Sequence, residues 1–444
     1  MHTLVEAYPG VAMTDALDRL YSTLVEDEDD HGCRELPESA CRVVPGNAAK
    51  LVSGFTLQKI GDRIADPKTV LSWMLTSLGA PDFAVGLLVP IRESGALLPQ
   101  TALVPVVRRF RLRSRLWAAG AVGQSVAVAA IGVSGAILTG ASVGIAVLVA
   151  LALFALARAV SSITAKDVIG KTIPRGNRGS VTGIAASIAG FAAIAAGVVI
   201  YLTAETAGGE VLALVVAGAA LLWLGAAGVF VTVDEEPSSG EETDPAATVA
   251  ESLRMLREDR PFRRFVVART LLLVTALSPP FVVSLSASVS EAGVSGVGPF
   301  VIATGMAGLV ASPIWGRLAD RSSRLVISAS AGLGGAIIIG YLSLRATFFD
   351  STAWLGPAVY LLLALVHAGA RMGRKTDVVD LGRGDDRTRY VAVSNTIIGA
   401  MLLVVGGLGA VVALIGAQWT LAGLAAAGLA GSLVAYRLPE IHQG

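Results

Sequence analysis

Two long apolar runs of the chain meet at Ser312-Pro313-Ile314-Trp315-Gly316-Arg317-Leu318-Ala319-Asp320-Arg321-Ser322-Ser323-Arg324. Gly316 lies where the first run ends, and it lets two helices approach closely because it has no side chain to hold them apart. Basic residues collect on the cytoplasmic loops of membrane proteins, and an acidic residue among them can pair with a neighbouring arginine. The charged residues of the stretch are Arg317, Asp320, Arg321 and Arg324. The stretch therefore predicts a basic cytoplasmic loop between two membrane-spanning helices.

The composition predicts a polytopic membrane protein. The 444 residues are 54% hydrophobic and 16% charged, and the mean hydropathy is +0.68. A soluble domain is charged at about 25% of its positions. The lipid bilayer is thus an expected partner, and we expect a monomer. The net charge of +1 by itself says nothing about partners. No nucleic-acid partner is expected.

The apolar runs predict twelve membrane-spanning helices, which we call spans 1 to 12. They cover residues 50–78, 82–107, 116–138, 143–165, 180–202, 211–233, 262–286, 297–316, 325–345, 354–379, 390–415 and 419–437. Span 1 ends at the turn signal Gly79-Ala80-Pro81-Asp82. The fold class expected is therefore all-α, with one six-helix bundle in residues 48–233 and a second in residues 262–444.

Two further segments complete the predicted domain organisation. Residues 1–47 are an acidic tail without the apolar core of a signal peptide. Residues 234–261 are predicted to be a cytoplasmic linker with a short amphipathic helix on the inner membrane surface.

The sequence predicts neither a metal site nor a cofactor. Cys33 and Cys41 lie in the tail near His31, but their spacing fits no zinc signature, so they are interpreted as free thiols. The chain also lacks a His-Glu-x-x-His motif, a phosphate-binding lysine loop and a dinucleotide fingerprint. Without a nucleotide site, ATP is not the expected source of energy, and the chain is not expected to be an enzyme.

Charge asymmetry sets the expected orientation. Basic residues concentrate at 108–115, 166–178, 254–264 and 317–324, which are alternate connections, whereas the opposite connections carry none. The positive-inside rule then places both termini in the cytoplasm, with the protein in the cell (inner) membrane of a bacterium.

An internal repeat supports two related halves. Ala165-Lys166-Asp167-Val168-Ile169 corresponds to Lys375-Thr376-Asp377-Val378-Val379 at an offset of about 210 residues. Pro105 and Pro313 correspond at nearly the same offset.

The pattern Gly-x-Leu-Ala-Asp-Arg-x-x-Arg at 316–324 resembles the signature loop of the major facilitator superfamily of transporters, although that family usually has a second glycine where this chain has Ser323. Pro174-Arg175-Gly176-Asn177-Arg178-Gly179 also resembles a loop of the family. The resemblance implies two six-helix bundles, transport by alternating access, and a cavity lined by spans 1, 4, 7 and 10. It also implies a conformational-switch role for Gly316, Asp320, Arg321 and Arg324.

Charged residues within apolar spans are the candidate site, because each costs a few kcal/mol in lipid unless it faces a cavity or a partner. Lys59, Asp62, Arg63 and Asp66 follow helical spacing and form one stripe on span 1. The stripe predicts a wet wall of a central cavity. The alternative is that these charges pair with one another and only hold structure.

Other spans carry further candidates for a substrate and proton cavity. Glu93 is a candidate for proton coupling, and Arg92 and Glu93 point to different sides of span 2; a structural ion pair is the alternative. Arg158 in span 4 is a candidate anchor for an anion, since arginine can grip a carboxylate with two parallel bonds. His367 and Arg371 share one face of span 10.

The function expected from these features is secondary active transport of a small solute, either an organic anion or a drug-like compound, coupled to protons. A non-transporting sensor or partner subunit is the first alternative, supported only by the acidic tail. A membrane-embedded, lipid-handling enzyme is the second, but the sequence offers no reactive pair for it.

Overall fold

The computed structural model describes residues 43–174, 177–203, 208–237, 254, 257–258, 260–288, 293–347, 354–381 and 386–437. All regular structure within these ranges is helical. We number the helices by the predicted span to which each belongs. They are α1a (Val44–Ile64), α1b (Val70–Ser77), α2a (Asp82–Leu97), α2b (Gln100–Arg109), α3 (Arg113–Ile137), α4 (Gly140–Thr172), α5 (Arg178–Thr203), α6 (Gly209–Val231), α7a (Arg260–Leu271), α7b (Val274–Leu277), α7c (Pro279–Ala287), α8 (Gly298–Arg321), α9 (Ser323–Thr347), α10 (Leu355–Leu381), α11 (Asp386–Ala413) and α12 (Ala417–Tyr436). A 3₁₀ turn at Gly293–Val297 precedes α8.

The helices follow the order of the predicted spans. In the described part of the chain, eight are long and apolar enough to cross a membrane, and two shorter apolar helices lie at Ser295–Ala311 and Leu355–Arg371. The two remaining units, α1 and α2, carry the charged side chains of the candidate site. The first helix begins at Val44, inside the predicted tail. The acidic run and both cysteines lie outside the described residues, as does most of the predicted amphipathic helix.

Span 1 is two helices and not the one predicted, because Pro67 interrupts it. Proline has no N–H and disfavours helical backbone at the residue before it. α1a therefore ends at Ile64 and α1b begins at Val70. The polar groups of the break are satisfied locally: the Lys68 N–H donates to Asp66 Oδ1 at 2.7 Å, and the Ser72 hydroxyl donates to the Pro67 carbonyl at 2.7 Å. The break is thus a stable feature of the membrane interior.

Span 7 is interrupted at the corresponding position. Leu272 and Leu273 form a turn after α7a, and Pro279 and Pro280 begin α7c. The two prolines cannot donate hydrogen bonds to the helical turn before them. The Thr275 hydroxyl instead donates to the Leu272 carbonyl at 3.0 Å. The repeat offset of about 210 residues brings the two breaks into register, so the pseudo-symmetry of the halves extends to their irregularities.

The helices pack as two bundles, α1–α6 and α7–α12, which meet along α2 with α11 and α5 with α8. Small residues let the backbones approach closely at these seams. A Cβ atom on Gly298 would lie 2.7 Å from the Gly197 carbonyl oxygen, and one on Gly406 would overlap the Pro90 ring. α7c also contacts α1b and α2a across the interface.

The contacts of Gly298 with Gly197 and of α7c with α1b lie towards one end of the molecule, which we call the closed end. It is the end with the short connections that carry no basic residues. At the basic end of α5 the environment differs, since a Cβ on Gly179 or Gly183 would meet no atom of the described residues within 4 Å. Arg371, on the basic half of α10, has an exposed side chain. The approach of α5 to the other bundle is therefore closest at the closed end.

Candidate functional site

Asp62 of α1a is the centre of an ion-pair junction between three helices. Arg158 of α4 donates to both of its carboxylate oxygens, with Nη2–Oδ2 at 2.7 Å and Nη1–Oδ1 at 3.3 Å. Arg92 of α2a donates from Nη2 to Oδ1 at 3.2 Å. The side chains of Arg92, Asp62 and Arg158 are 14%, 22% and 22% exposed. Their charges are thus desolvated in large part, but each side chain keeps some contact with solvent.

A buried polar layer orients Arg158. Gln124 of α3 accepts hydrogen bonds at Oε1 from Arg158 Nη1 and from the Trp223 indole N–H, each at 3.2 Å, and its Nε2 donates to Ser161 Oγ at 3.0 Å. The Trp223 ring fills the space beside Gly61, where a Cβ would lie 2.6 Å from it. Sequence reasoning missed Gln124 and Trp223. The signal that could have indicated Gln124 was its amide side chain within an apolar span.

An aromatic ring supports the second arginine. The Arg92 guanidinium carbon lies 4.5 Å from the centroid of the Phe154 ring, within the range of a cation–π contact. Phe154 packs edge-on against Trp223 at 5.5 Å between centroids. Arg92 and Arg158 thus contact one continuous set of packed side chains from α3, α4 and α6.

The remaining predicted charges of α1 surround this junction. Lys59 lies close enough to Asp62, Arg63 and Arg371 to interact with their charges. A Cβ on Gly308 of α8 would lie 3.2 Å from Arg63 Nη2, so this guanidinium reaches the opposite bundle. The stripe predicted from helical spacing is therefore brought together with charges of the second half.

Asp66 and Glu93 provide the other carboxylates. Asp66 lies in the break of α1 and interacts with the charges of Lys68, Arg63 and Arg92. Glu93 of α2a interacts with the charges of Arg92 on its own helix and Arg371 on α10. Both acidic residues thus lie within one network that extends across the interface of the two bundles.

His367 joins the two broken spans. Its Nε2 lies 3.4 Å from Lys68 Nζ, and its Nδ1 lies 3.0 Å from Thr275 Oγ1. Because the Thr275 hydroxyl donates to Leu272, we assign the ring proton to Nδ1, which leaves Nε2 to accept from Lys68. The breaks of α1 and α7 are thus linked through α10. The sequence singled out His367 but not Lys68 or Thr275.

A second polar chain crosses the interface at the closed end. The Thr76 hydroxyl of α1b donates to Ser284 Oγ at 3.1 Å, and the Ser284 hydroxyl donates to Asp82 Oδ1 at 3.1 Å. Ser284 belongs to α7c, whereas Asp82 is the first residue of α2a. The chain of hydrogen bonds links the two bundles where they touch, and sequence reasoning missed it because none of its members interrupts an apolar run.

The predicted conformational-switch loop is mostly helical, which corrects the prediction of a loop at Gly316, Asp320, Arg321 and Arg324. α8 continues through Arg321, and Ser322 alone separates it from α9. Arginine, leucine and alanine are good helix formers, so the helix extends beyond its apolar part. Arg324 of α9 donates to the Tyr436 carbonyl at 3.3 Å and lies 5.6 Å from the centroid of the Tyr436 ring.

In the described part of the chain, the site brings together six cationic side chains and three carboxylates, which come from α1, the break of α1, α2, α4 and α10. Among the described residues, no group of three histidine, cysteine, aspartate or glutamate side chains could hold a metal ion.

Comparison with known proteins defines the class of this helical membrane protein. The family model described as Major Facilitator Superfamily matches residues 67–374, which is more than half of the chain. The chain belongs to the Major Facilitator Superfamily. The fold predicted from the sequence, an all-α membrane protein of two bundles, is confirmed.

Solved structures with the same fold share little sequence with the chain. The nucleoside transporter NupG is 13% identical, with a TM-score of 0.68, and the match covers 88% of this chain and 99% of that one. A bacterial homologue of the iron transporter ferroportin, in an inward-facing state, is 15% identical with a TM-score of 0.66 and coverage of 88% and 98%. The inward-open xylose transporter XylE from E. coli is 12% identical with a TM-score of 0.62 and coverage of 89% and 97%. No curated protein sequence matches the chain.

Proposed function

We propose that this chain is a secondary active transporter that moves a small organic anion across the membrane by alternating access. The observation that carries the proposal is the meeting of Lys59, Arg92 and Arg158 around Asp62 within the membrane-spanning part of the chain. Each charge in an apolar span costs about 2.5–3.5 kcal/mol on insertion scales. A cavity that binds a charged solute would explain why the chain keeps these residues despite their cost in free energy.

Arg158 is proposed as the principal anchor of the anion. Its guanidinium is held by Asp62 and Gln124, so its orientation is fixed before the solute arrives. A preorganised guanidinium loses less entropy on binding and can offer two parallel hydrogen bonds to a carboxylate. When the anion binds, Asp62 and the anion share the arginine charges.

Protons are proposed as the coupling ion. Asp62, Asp66 and Glu93 are the carboxylates of the charge network, and they are the groups in it to which a transported proton could bind. Protonation of Asp62 would weaken its ion pairs with Arg92 and Arg158 and leave those arginines to the anion. Proton and anion would then be carried together. The chain would act without chemically changing its solute.

A transport assay tests both parts of this proposal. A library of organic anions is first screened for thermal stabilisation of the purified protein, because a bound solute raises stability by mass action. The solutes found are then assayed for uptake into proteoliposomes. Arg158→Ala should abolish uptake, whereas Arg345→Ala, which removes an arginine near the closed end, should preserve it. Uptake that survives Arg158→Ala would exclude this anchor, and uptake unaffected by collapse of the pH gradient would exclude proton coupling.

A further inference from the structure

Three cationic side chains face one another across the interface of the bundles. Lys59 and Arg63 belong to α1a, and Arg371 belongs to α10 of the other half. Lys68, in the break just after α1a, lies 3.4 Å from His367, which is one helical turn before Arg371 on α10, so α1 and α10 come together beside the three cations. Arg63 also reaches Gly308 of α8, so it lies at the boundary between the halves. Like charges are therefore concentrated where the two bundles must approach each other.

Within the part of the chain that the structure describes, these three side chains have no hydrogen bond or ion pair. The nearest carboxylate that could serve Lys59 is Asp62, and its two oxygens already accept three hydrogen bonds from Arg92 and Arg158. Glu93 acts on Arg371 electrostatically but also on Arg92. The carboxylates present are thus shared among more cations than they can pair.

The charge of the whole network leads to the same conclusion. Among the described residues, its six cationic side chains exceed its three carboxylates, even when all three carboxylates are ionised. Like charges that lie together and are partly removed from water repel one another. An anionic ligand can supply the missing charge.

We propose that Lys59, Arg63 and Arg371 form a binding site for a small anion with two or more negative charges, which bridges the two bundles. This inference rests on the proposed function and specifies its substrate class. A single carboxylate could neutralise one of the three cations, whereas a di- or tricarboxylate or a phosphorylated compound can contact both sides of the interface. Arg371 has an exposed side chain, so such a ligand can reach the site from the basic end.

The same geometry couples binding to movement. In the absence of ligand, repulsion between α1a and α10 favours separation of the bundles at the basic end. A multivalent anion removes this repulsion and binds both helices, so it favours the state in which the bundles approach there. A ligand shifts a conformational equilibrium by its difference in affinity for the two states, and a bridging contact that exists in one state only provides that difference.

Anion titration of the purified full-length protein in detergent tests the proposal. Sodium acetate, succinate, citrate and inorganic phosphate are added at matched ionic strength, and the melting temperature is followed. Multivalent anions also stabilise proteins without binding a site, by exclusion from the surface, and that effect does not saturate. The readout is therefore the saturable part of the shift. We expect it for citrate and succinate or for phosphate, and not for acetate; which of them gives it distinguishes carboxylates from phosphates.

Variants assign the saturable effect to the site. Arg371→Gln should weaken anion binding by about tenfold or more, the loss expected for one charge-assisted hydrogen bond. Arg371→Lys should retain part of the effect. Arg345→Gln, which removes an arginine that donates to the Leu285 carbonyl at the other end of the molecule, should leave it unchanged. If Arg371→Gln does not fold, Lys59→Gln is measured in its place with the same expectation.

The outcomes separate this inference from the proposed function. Equal saturable shifts for acetate and citrate, or an unchanged citrate affinity in Arg371→Gln and Lys59→Gln, would overturn the bridging site. Transport of a monovalent anion that persists in these variants would also overturn it, while the transporter proposal would stand. Binding of a multivalent anion that depends on Arg371, without uptake into proteoliposomes, would uphold the site and overturn transport.

Discussion

Asp62 is the single residue on which the charge network most depends. It holds Arg92 and Arg158 together from three helices, and their side chains are at most 22% exposed. Removal of one partner from a buried ion pair leaves an uncompensated charge, which costs about 3–5 kcal/mol. We expect Asp62→Ala to lower the free energy of unfolding by about 3 kcal/mol, the lower end of that range, because the side chains keep some contact with solvent. Thermal unfolding in detergent measures the change.

A double-mutant cycle is the control for this prediction. If the cost comes from the unpaired arginine, adding Arg158→Gln to Asp62→Ala should destabilise by less than the sum of the two single changes. Additive effects would mean that Asp62 and Arg158 contribute to stability independently, and the interpretation of the junction would be wrong.

His367 makes a second prediction at this scale. Its ring contacts Lys68 at 3.4 Å and Thr275 at 3.0 Å, so replacing it with an apolar side chain removes both contacts. His367→Leu should therefore loosen the link between the broken spans about fivefold, the effect of about 1 kcal/mol expected for one hydrogen bond.

Hydrogen exchange can detect this loosening. The amides of 66, 68, 69 and 272–275 should exchange faster in His367→Leu than in the wild type at the same pH. Equal exchange in the two proteins would show that His367 does not control the contact.

The difference between predicted and missed site residues has a physical cause. Lys59, Asp62 and Arg158 stand out in the sequence because a charge in lipid is costly, and the structure brings them together. Gln124, with no formal charge, costs much less and gives little signal, although it orients Arg158. Lys68 escaped notice because helical spacing was assumed to continue through Pro67, and the break turns Lys68 towards α10.

At the scale of helices, the seam between α5 and α8 allows a matched test. A Cβ on Gly197 would lie 2.8 Å from the Ile302 backbone nitrogen, whereas a Cβ on Gly183 of the same helix would meet nothing within 4 Å. Alanine is favoured over glycine in a helix by about 1 kcal/mol, so Gly183→Ala should be neutral or stabilising. Gly197→Ala should cost about 1–3 kcal/mol through overpacking or else separate the bundles at the closed end.

Thermal unfolding and accessibility of the closed end measure the two effects of Gly197→Ala. Accessibility of the closed end is measured by labelling Thr76→Cys with a thiol reagent, in a chain whose own two cysteines are replaced. Equal behaviour of the two alanine variants on both measures would show that the seam does not depend on close backbone approach.

The ends and breaks of the helices were the least predictable part of the fold. Pro67 indicated a bend, but the helix is interrupted completely. The sequence did not reveal that Asp66 and Ser72 would form hydrogen bonds with the backbone groups of this break. The charged residues after Trp315 suggested a loop, whereas α8 continues to Arg321. Hydropathy marks where lipid ends, and a helix is free to continue into water.

For the whole molecule, the repeat in the sequence predicted the architecture well. Two related halves must pack against each other so that both sets of membrane charges avoid lipid, and the family match agrees with that arrangement. The relative position of the halves is a different matter. A transporter must have at least two states of similar energy, and one sequence codes for both, so pattern alone could not predict which end is closed here.

Orientation in the membrane remains a prediction, and the chain offers a direct test. Cys33 and Cys41, its two cysteines, both precede the first described helix. The positive-inside rule places them in the cytoplasm, so a membrane-impermeant maleimide should label inside-out vesicles and not intact cells. In a chain with both cysteines changed to serine, Ser142→Cys, which lies exposed near the start of α4, should show the opposite pattern. Labelling of Cys33 and Cys41 in intact cells would show that the orientation is the opposite of the predicted one. The basic end of the molecule would then face the outside.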